Sequence, residues 1–368
     1  MDYSVAVIGG GLLGASFGWG LARRKIKTIV IDQGDNAIRT ARGNFGLVWL
    51  QSKGVGMPEY ARWTHQSTHD WGPFSEELEA TTGIGIHYDR CGGYILCLDD
   101  AMQEATERSM STLMTSLGDH AYDCKSLSYV EVKQALPLVG KIAGATYSPH
   151  DGHCNPLNLL RALHKGFIMM GGRYHSNCTI STITPLTGGG FRVTDESTAT
   201  TFSAEKIIIA AGHGSAQLGS QVGLDIPIFP DQGQVLVTEK RGPVLRHPTN
   251  FVRQTDDGSF MLGPSSQKVG FNTDTNLEVL AEIARNCCTA FPFLSQIKIQ
   301  RAWAALRIMT PDGFPVYQQS DVHPGAFSFA CHSGVTLAST HALQVPRWIE
   351  EGAIPKQYEA FHPRRFHV

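Results

Sequence analysis

The 368-residue chain has no long apolar run, no block of like charge, no internal repeat and no low-complexity linker. Its apolar stretches, such as residues 207–211 and 235–237, are strand-sized, far below the roughly 20 residues that a bilayer-crossing helix needs. A membrane span is therefore not expected. Lys plus Arg number 31 against 33 Asp plus Glu, so nothing in the charge calls for nucleic acid or a membrane surface. The first residues carry an acid at Asp2 and no basic stretch ahead of the apolar run, which reads as a buried strand, not a secretion signal, and sets cytoplasmic location as the expectation. Eight cysteines are scattered with no C-x-x-C spacing, poor material for an iron–sulfur cluster, a zinc site or a disulfide framework. His153 and the pair His65 and His69, which has helical i, i+4 spacing, are ligand-type residues with no third ligand nearby, so no metal is expected. A serine elbow, a His-Glu-x-x-His helix and a carboxylate pair are also missing. That is consistent with a chemistry that needs neither a nucleophile nor a metal.

What is present begins at the N-terminus. Residues 5–8 form a short apolar run, glycines follow, 12–24 read as a helix and 28–31 as a second buried strand. This is a βαβ unit. Within it lie Gly9-x-Gly11-x-x-Gly14, flanked by Leu12 and Leu13, and Asp32 followed by Gln33 at the end of the second strand. Gly9 permits the tight turn, Gly11 lets backbone approach a pyrophosphate at the helix N-terminus, Gly14 lets helix close on strand, and Asp32 accepts hydrogen bonds from a ribose. The pattern is shared by NAD and FAD proteins, so an NAD dehydrogenase stays open at this point. Residues 39–56 are glycine-spaced and irregular, with basic residues Arg39, Arg42 and Lys53, as expected of backbone laid against a cofactor.

Further along, helices are expected over 59–79, 101–117, 128–136, from Pro156 with Asn155 as cap, over 276–288, and from the turn at 332–334 to Glu351. Strands are expected at 91–98, 173–183, 191–195, 201–211, 232–238, 250–254, 259–263, 300–307 and 327–331. Cofactor-type segments at both ends with strand-rich material between imply an α/β fold in two interleaved parts. One is a Rossmann-like dinucleotide-binding domain over 1–86, 150–228 and 300–368. The other is an antiparallel-sheet α+β substrate domain over 87–149 and 229–299.

The chain resembles the D-amino-acid oxidase and glycine oxidase family of flavoproteins along its whole length. The resemblance is carried by VAVIGGGLLG, the loop Arg42-Gly-Asn44 with Gly46 beyond it, DGHCNPLNLLRAL at 151–163, IIIAAGHGS at 207–215, RAWAALRIMTPDGFP at 301–315 and CHSGVTLA at 331–338. It implies FAD as cofactor. One departure stands at His213-Gly214, where the family usually has Trp before Ser. Within the family, RGNFGLVW and RIMTPDGFPVY are most similar to the smaller flavin subunit of heteromeric opine oxidases or dehydrogenases, of the octopine and nopaline type. That resemblance implies oxidation of the C–N bond of an N-substituted amino acid, a larger flavoprotein subunit and a small 2Fe-2S subunit as partners, and room for an FMN at a subunit interface. A dehydrogenase or oxidase of D-hydroxyproline, glycine or another secondary amine, and a non-catalytic electron-relay subunit, are the alternatives.

Such chemistry needs an anchor for the substrate and positive potential where charge collects on the flavin. Arg307 stands where the resembling oxidases place their carboxylate-binding arginine, and a guanidinium fork grips a carboxylate bidentately. Strand alternation puts Trp303 on the same face, so it is expected to wall the same pocket. The segment His332-Ser333-Gly334-Val335-Thr336 is expected to open a helix whose free N–H groups face the flavin. Ala211 and Gly212 are expected to contact the cofactor at the end of a buried strand. Lys53 and His332 are the remaining polar candidates.

Overall fold

The computed structural model describes residues 1–34, 40–118 and 122–367, with the Arg42 side chain excepted. The fold is mixed α/β, built around an eight-stranded sheet. Its centre is the strand Tyr3–Ile8, paired in parallel with Thr28–Ile31 on one side and Thr200–Ile209 on the other. Ile8 lies level with both Ile31 and Ile209, so three strands end together at one edge. Ligands of open parallel sheets bind at this carboxyl end, where strand order reverses. Arg173–His175 extends the sheet beyond Thr28–Ile31, and Ala326–Ala330 extends it beyond Thr200–Ile209, both in parallel. Val316–Gln319 closes that edge in antiparallel sense. Tyr3–Ile8, Thr28–Ile31 and Ala326–Ala330 are buried over nearly their whole length, as strands covered on both faces are.

The first helix, Leu12–Arg23, is buried through most of its length and packs beside Pro156–Met169 and Ala338–Leu343. Pro156–Met169 starts as its sequence indicates, with the Asn155 side chain accepting from the Asn158 N–H. The long helix Pro58–Thr82 has proline in its first turn and ends at Gly83, which takes the left-handed conformation that favours glycine. No helix among the described residues is long and apolar enough to cross a membrane.

A second sheet is antiparallel, with Phe229–Thr238 between Phe260–Leu262 and Ile299–Met309, and Val252–Gln254 at its edge. Ile299–Met309, placed by the sequence in the dinucleotide-binding part, pairs along its length with Phe229–Thr238 and so belongs to this sheet. A three-stranded sheet of Gly93–Cys97, Gly144–Ser148 and Lys125–Ser128 shares an apolar core with it, including Leu96, Ala145, Leu236 and Phe260.

Strands Lys125–Ser128, Gly144–Ser148 and Val316–Gln319 were not expected from the sequence, and two of the expected elements take a different form. The segment 173–183 is not one strand: Arg173–His175 and Thr182–Pro185 are separate. Between them Asp32 N–H donates to the His175 carbonyl and Cys178 N–H donates to the Asp32 carbonyl, so the chain leaves the sheet to wrap over Asp32. The C-terminal helix begins at Ala338, not at the 332–334 turn, and is divided at Gln344 into Ala338–Leu343 and Val345–Glu351. Pro346, in the first turn of the second piece, lacks the N–H that would continue the ladder.

Candidate active site

Two adjoining cavities lie where the large sheet meets the antiparallel one. The larger, about 420 Å³, is lined by Gly9, Gly11, Leu12, Leu13, Asp32 and Gln33 from the βαβ unit, by Ala211 and Gly212 after the strand Thr200–Ile209, and by Gly334. The smaller, about 230 Å³, is lined by Lys53, Arg307, Ser333, Val335 and Thr336. Thr40, Asn44 and His332 line both and form the junction.

The larger cavity has the features a dinucleotide requires. Gly9 has φ +105°, and a Cβ there would stand 2.3 Å from the Ala210 carbonyl oxygen. Gly14 does not line the cavity; a Cβ on it would meet the Gly9 carbonyl oxygen at 1.8 Å, so its role is to seat the helix on the turn. A Cβ on Gly11 would meet no protein atom within 4 Å. The protein itself would tolerate a side chain at Gly11, which fits a position kept bare for a ligand. The helix beginning at Leu12 has no side-chain N-cap, so its first N–H groups are left for an anion. Asp32 is buried, and its carboxylate accepts from Gly10 N–H at 2.6 Å and Gly34 N–H at 2.8 Å. It therefore shapes the loop, while also lining the larger cavity. These residues fit FAD.

In the smaller cavity Arg307 projects from Ile299–Met309 and donates from Nη1 to Asp231 Oδ2 at 2.7 Å. Ser266 Oγ donates to the other Asp231 oxygen at 2.7 Å. The guanidinium lies across Gly233, where a Cβ would stand 2.4 Å from Nη2. Lys53 is half-buried, and desolvation lowers its pKa, with Arg307 adding in the same direction and Cys331 and Asp151 opposing. His332 exposes its ring at the junction, yet burial by the surrounding protein pushes its pKa down to about 3, assisted by the charges of Lys53 and Arg307. It is neutral at pH 7.

The turn after His332 is fastened to the long helix Pro58–Thr82. Tyr60 OH donates to Ser333 Oγ at 2.8 Å, and the Thr336 carbonyl accepts from Ser67 Oγ at 2.7 Å and Trp71 Nε1 at 2.9 Å. The Thr336 hydroxyl oxygen in turn accepts from Trp49 N–H at 3.1 Å. Residues 333–337 form a tethered turn, with Leu337 N–H donating to the Ser333 carbonyl, so regular helix does not point its end at the cavity. The helix-dipole expectation for 332–336 is corrected accordingly.

Trp303 is a second correction. It lines neither cavity. Four residues along a strand is about 13 Å, which carries Trp303 away from Arg307 toward Gly43. Gly46 lines neither cavity; it has φ +85° and packs under the Cys154 carbonyl and Arg253. The Arg42 side chain and Arg39 lie outside the described residues. Asn44 accepts from Gly46 N–H at 2.8 Å and stands at the junction.

Sequence reasoning missed Trp49, Gln234 and Asn250 in the smaller cavity, and residues 178–181 and Phe271 in the larger. Trp49 belongs to the segment 39–56 already singled out; the others arrive from distant segments without a local pattern. His153 was visible as a ligand-type residue, but not that Asp89 and Cys91 bring their ligand-type atoms within 4.8 Å of it and of one another. Arg253 Nη1 lies 3.3 Å from His153 Nδ1, and its charge opposes a cation there.

Comparison with known proteins agrees with this geometry. The family model described as FAD dependent oxidoreductase matches residues 4–345. An opine oxidase subunit of Rhizobium meliloti is 36% identical over 99% of this chain and 98% of its own. The corresponding opine oxidase subunit of Agrobacterium tumefaciens (strain Ach5) is 35% identical over 100% and 98%. Among solved structures, glycine oxidase from Geobacillus kaustophilus superposes with a TM-score of 0.87 at 23% identity, covering 98% of both chains.

Proposed function

The chain belongs to the FAD-dependent oxidoreductase (DAO) family, an enzyme family acting on amines and amino acids, and on that footing we propose that it oxidises the C–N bond of an opine such as octopine or nopaline, as a subunit of a heteromeric dehydrogenase. The observation that carries the reading is the placement of Arg307, Lys53 and His332 in one small cavity that opens at Thr40, Asn44 and His332 onto the glycine-lined one. The two relatives named as opine oxidase subunits support the choice of substrate and the subunit role. In this reading the large sheet carries the cofactor domain and the antiparallel sheets carry the substrate domain.

Bound FAD supplies the two-electron acceptor for hydride leaving the carbon next to nitrogen. The chain's own residues bind and orient. Arg307, held by Asp231, offers its remaining N–H edge to the substrate carboxylate. No carboxylate lines the smaller cavity among the described residues, and His332, with its pKa near 3, is a weak base. The substrate therefore reacts with its amine unprotonated, and the protein's contribution is position, not proton abstraction. The partners in this proposal are a larger flavoprotein subunit and a small 2Fe-2S subunit, with room for FMN at a subunit interface and cytoplasmic location.

Anaerobic mixing of the flavin-loaded protein with opines, glycine, proline and the hydroxyproline isomers tests the substrate. Bleaching by an opine at a saturable rate is expected. Bleaching only by glycine or a hydroxyproline would move the assignment within the family, and bleaching by none would leave an electron-relay role. Peroxide formation tests the subunit role: fast, saturable production by the isolated chain would overturn it.

A further inference from the structure

The two cations of the smaller cavity are not equivalent. Arg307 is matched by Asp231 at 2.7 Å. Among the described residues nothing hydrogen-bonds or ion-pairs with the Lys53 ammonium. Asp151, whose charge acts on Lys53 without a hydrogen bond to it, is fully buried and its oxygens accept from Leu50 N–H at 2.6 Å and from Gln51 Nε2 at 2.7 Å. Gln51 is itself fixed by Thr146 Oγ1 at 2.7 Å and by its bond to the Gly93 carbonyl at 3.1 Å. Asp151 is thus held in place by a packed network and stays there. A half-buried ammonium beside a guanidinium, with no counterion, is an unfavourable arrangement in the protein alone. It becomes favourable when an anion enters. Lys53 does not line the larger cavity, so the dinucleotide-type surface does not supply that anion.

Resting on the reading of a carboxylate at Arg307, we propose that Lys53 receives a second carboxylate of the same substrate. The substrate class is then a secondary amine with two carboxylates, one on the carbon framework held by Arg307 and one on the N-substituent held by Lys53. The smaller cavity, about 230 Å³, holds both ends of one small molecule. Its other lining groups near the two cations are uncharged: Gln234, Asn250, Ser333 and Thr336 among them. No second acid competes for the ammonium there, and Lys53 is the residue that separates two-carboxylate from one-carboxylate ligands.

The test needs no turnover. Flavin-loaded protein is titrated with glutarate and with butyrate at equal ionic strength, following the perturbation of the flavin absorption. Glutarate is expected to bind at least about tenfold more tightly than butyrate. In Lys53→Met the preference falls to about twofold or less with butyrate affinity and flavin content unchanged, and Lys53→Arg restores most of it. Equal binding of the two acids by the unmodified protein, a preference that survives in Lys53→Met, or loss of both ligands or of flavin in that variant would each overturn the proposal. If no opine bleaches the flavin yet the Lys53-dependent preference is present, the substrate reading fails while the second-anion site stands.

Discussion

Arg307 and Asp231 stand directly opposite each other in the register of two antiparallel strands, joined at 2.7 Å over a glycine that leaves room for the guanidinium. The pair orients the arginine before any ligand arrives, and it neutralises the charge that would otherwise be lodged in a half-closed cavity. An anchor built this way loses more than a hydrogen bond when cut, because the acid is left buried and unmatched.

Arg307→Ala is therefore expected to weaken carboxylate-bearing substrates by about 2–5 kcal/mol, with flavin retained. Arg307→Lys keeps the charge and loses the fork, and should recover only part of the loss. Steady-state kcat/KM alongside the flavin absorbance checks both. Unchanged constants would place the anchor elsewhere.

Gly11 and Gly9 should respond differently to a side chain. Gly11→Val meets no protein atom near its Cβ, so the chain should fold and purify colourless, having lost FAD. Gly9→Val combines φ +105° with a 2.3 Å contact to backbone and should compromise folding itself. Circular dichroism with flavin absorbance separates the two, and a yellow Gly11→Val protein at full occupancy would refute the role given to that glycine.

With His332 neutral and no acid in the cavity lining among the described residues, the rate of flavin reduction should rise with pH through the ionisation of the substrate amine. Changing to a substrate with a more acidic amine should move the profile by the same interval. A profile that stays fixed while the amine changes would point to a base on the protein.

Burial pushes the Asp151 carboxyl up to about 7, against the hydrogen bonds from Leu50 and Gln51 and the charge of Lys53. The folded chain then holds a proton that an unfolded aspartate releases near pH 4. Its contribution to stability is full below about pH 4 and is lost as pH rises toward 7. Asp151→Asn removes this dependence, so its stability deficit relative to the parent should shrink between pH 5 and pH 8. Urea midpoints of both proteins at the two pH values check it; a constant gap would contradict the raised pKa.

The cofactor half was legible because it is written locally. The glycine spacing, the strand before, the helix after and the acid beyond lie within the first 32 residues, and the structure assembles them in that order. Asp32's bonds to Gly10 and Gly34 were not legible, since loop closure depends on a backbone path that composition does not encode. Trp303 illustrates a different limit. Alternation assigns the right face of a strand, but a cavity spans only part of it, and where along the strand it falls is decided by what crosses above. The helix start at Ala338 was misjudged because the Thr336 carbonyl is taken by Ser67 and Trp71, side chains from a helix far away in sequence. Lys53 was visible as a lysine in a glycine-rich loop; that it has no ion-pair partner among the described residues required its neighbours.

The bond from Trp49 N–H to Thr336 Oγ1 spans 287 residues. At typical synthesis rates the second partner leaves the ribosome about 15 to 60 s after the first. During that interval the glycine turn, Asp32 and Lys53 have emerged without the segment that completes the wall around them. Tight capture of FAD is therefore a late event in the life of each nascent molecule. A ribosome-stalled chain ending before the strand Ala326–Ala330 would display the dinucleotide fingerprint without a closed place to keep its cofactor.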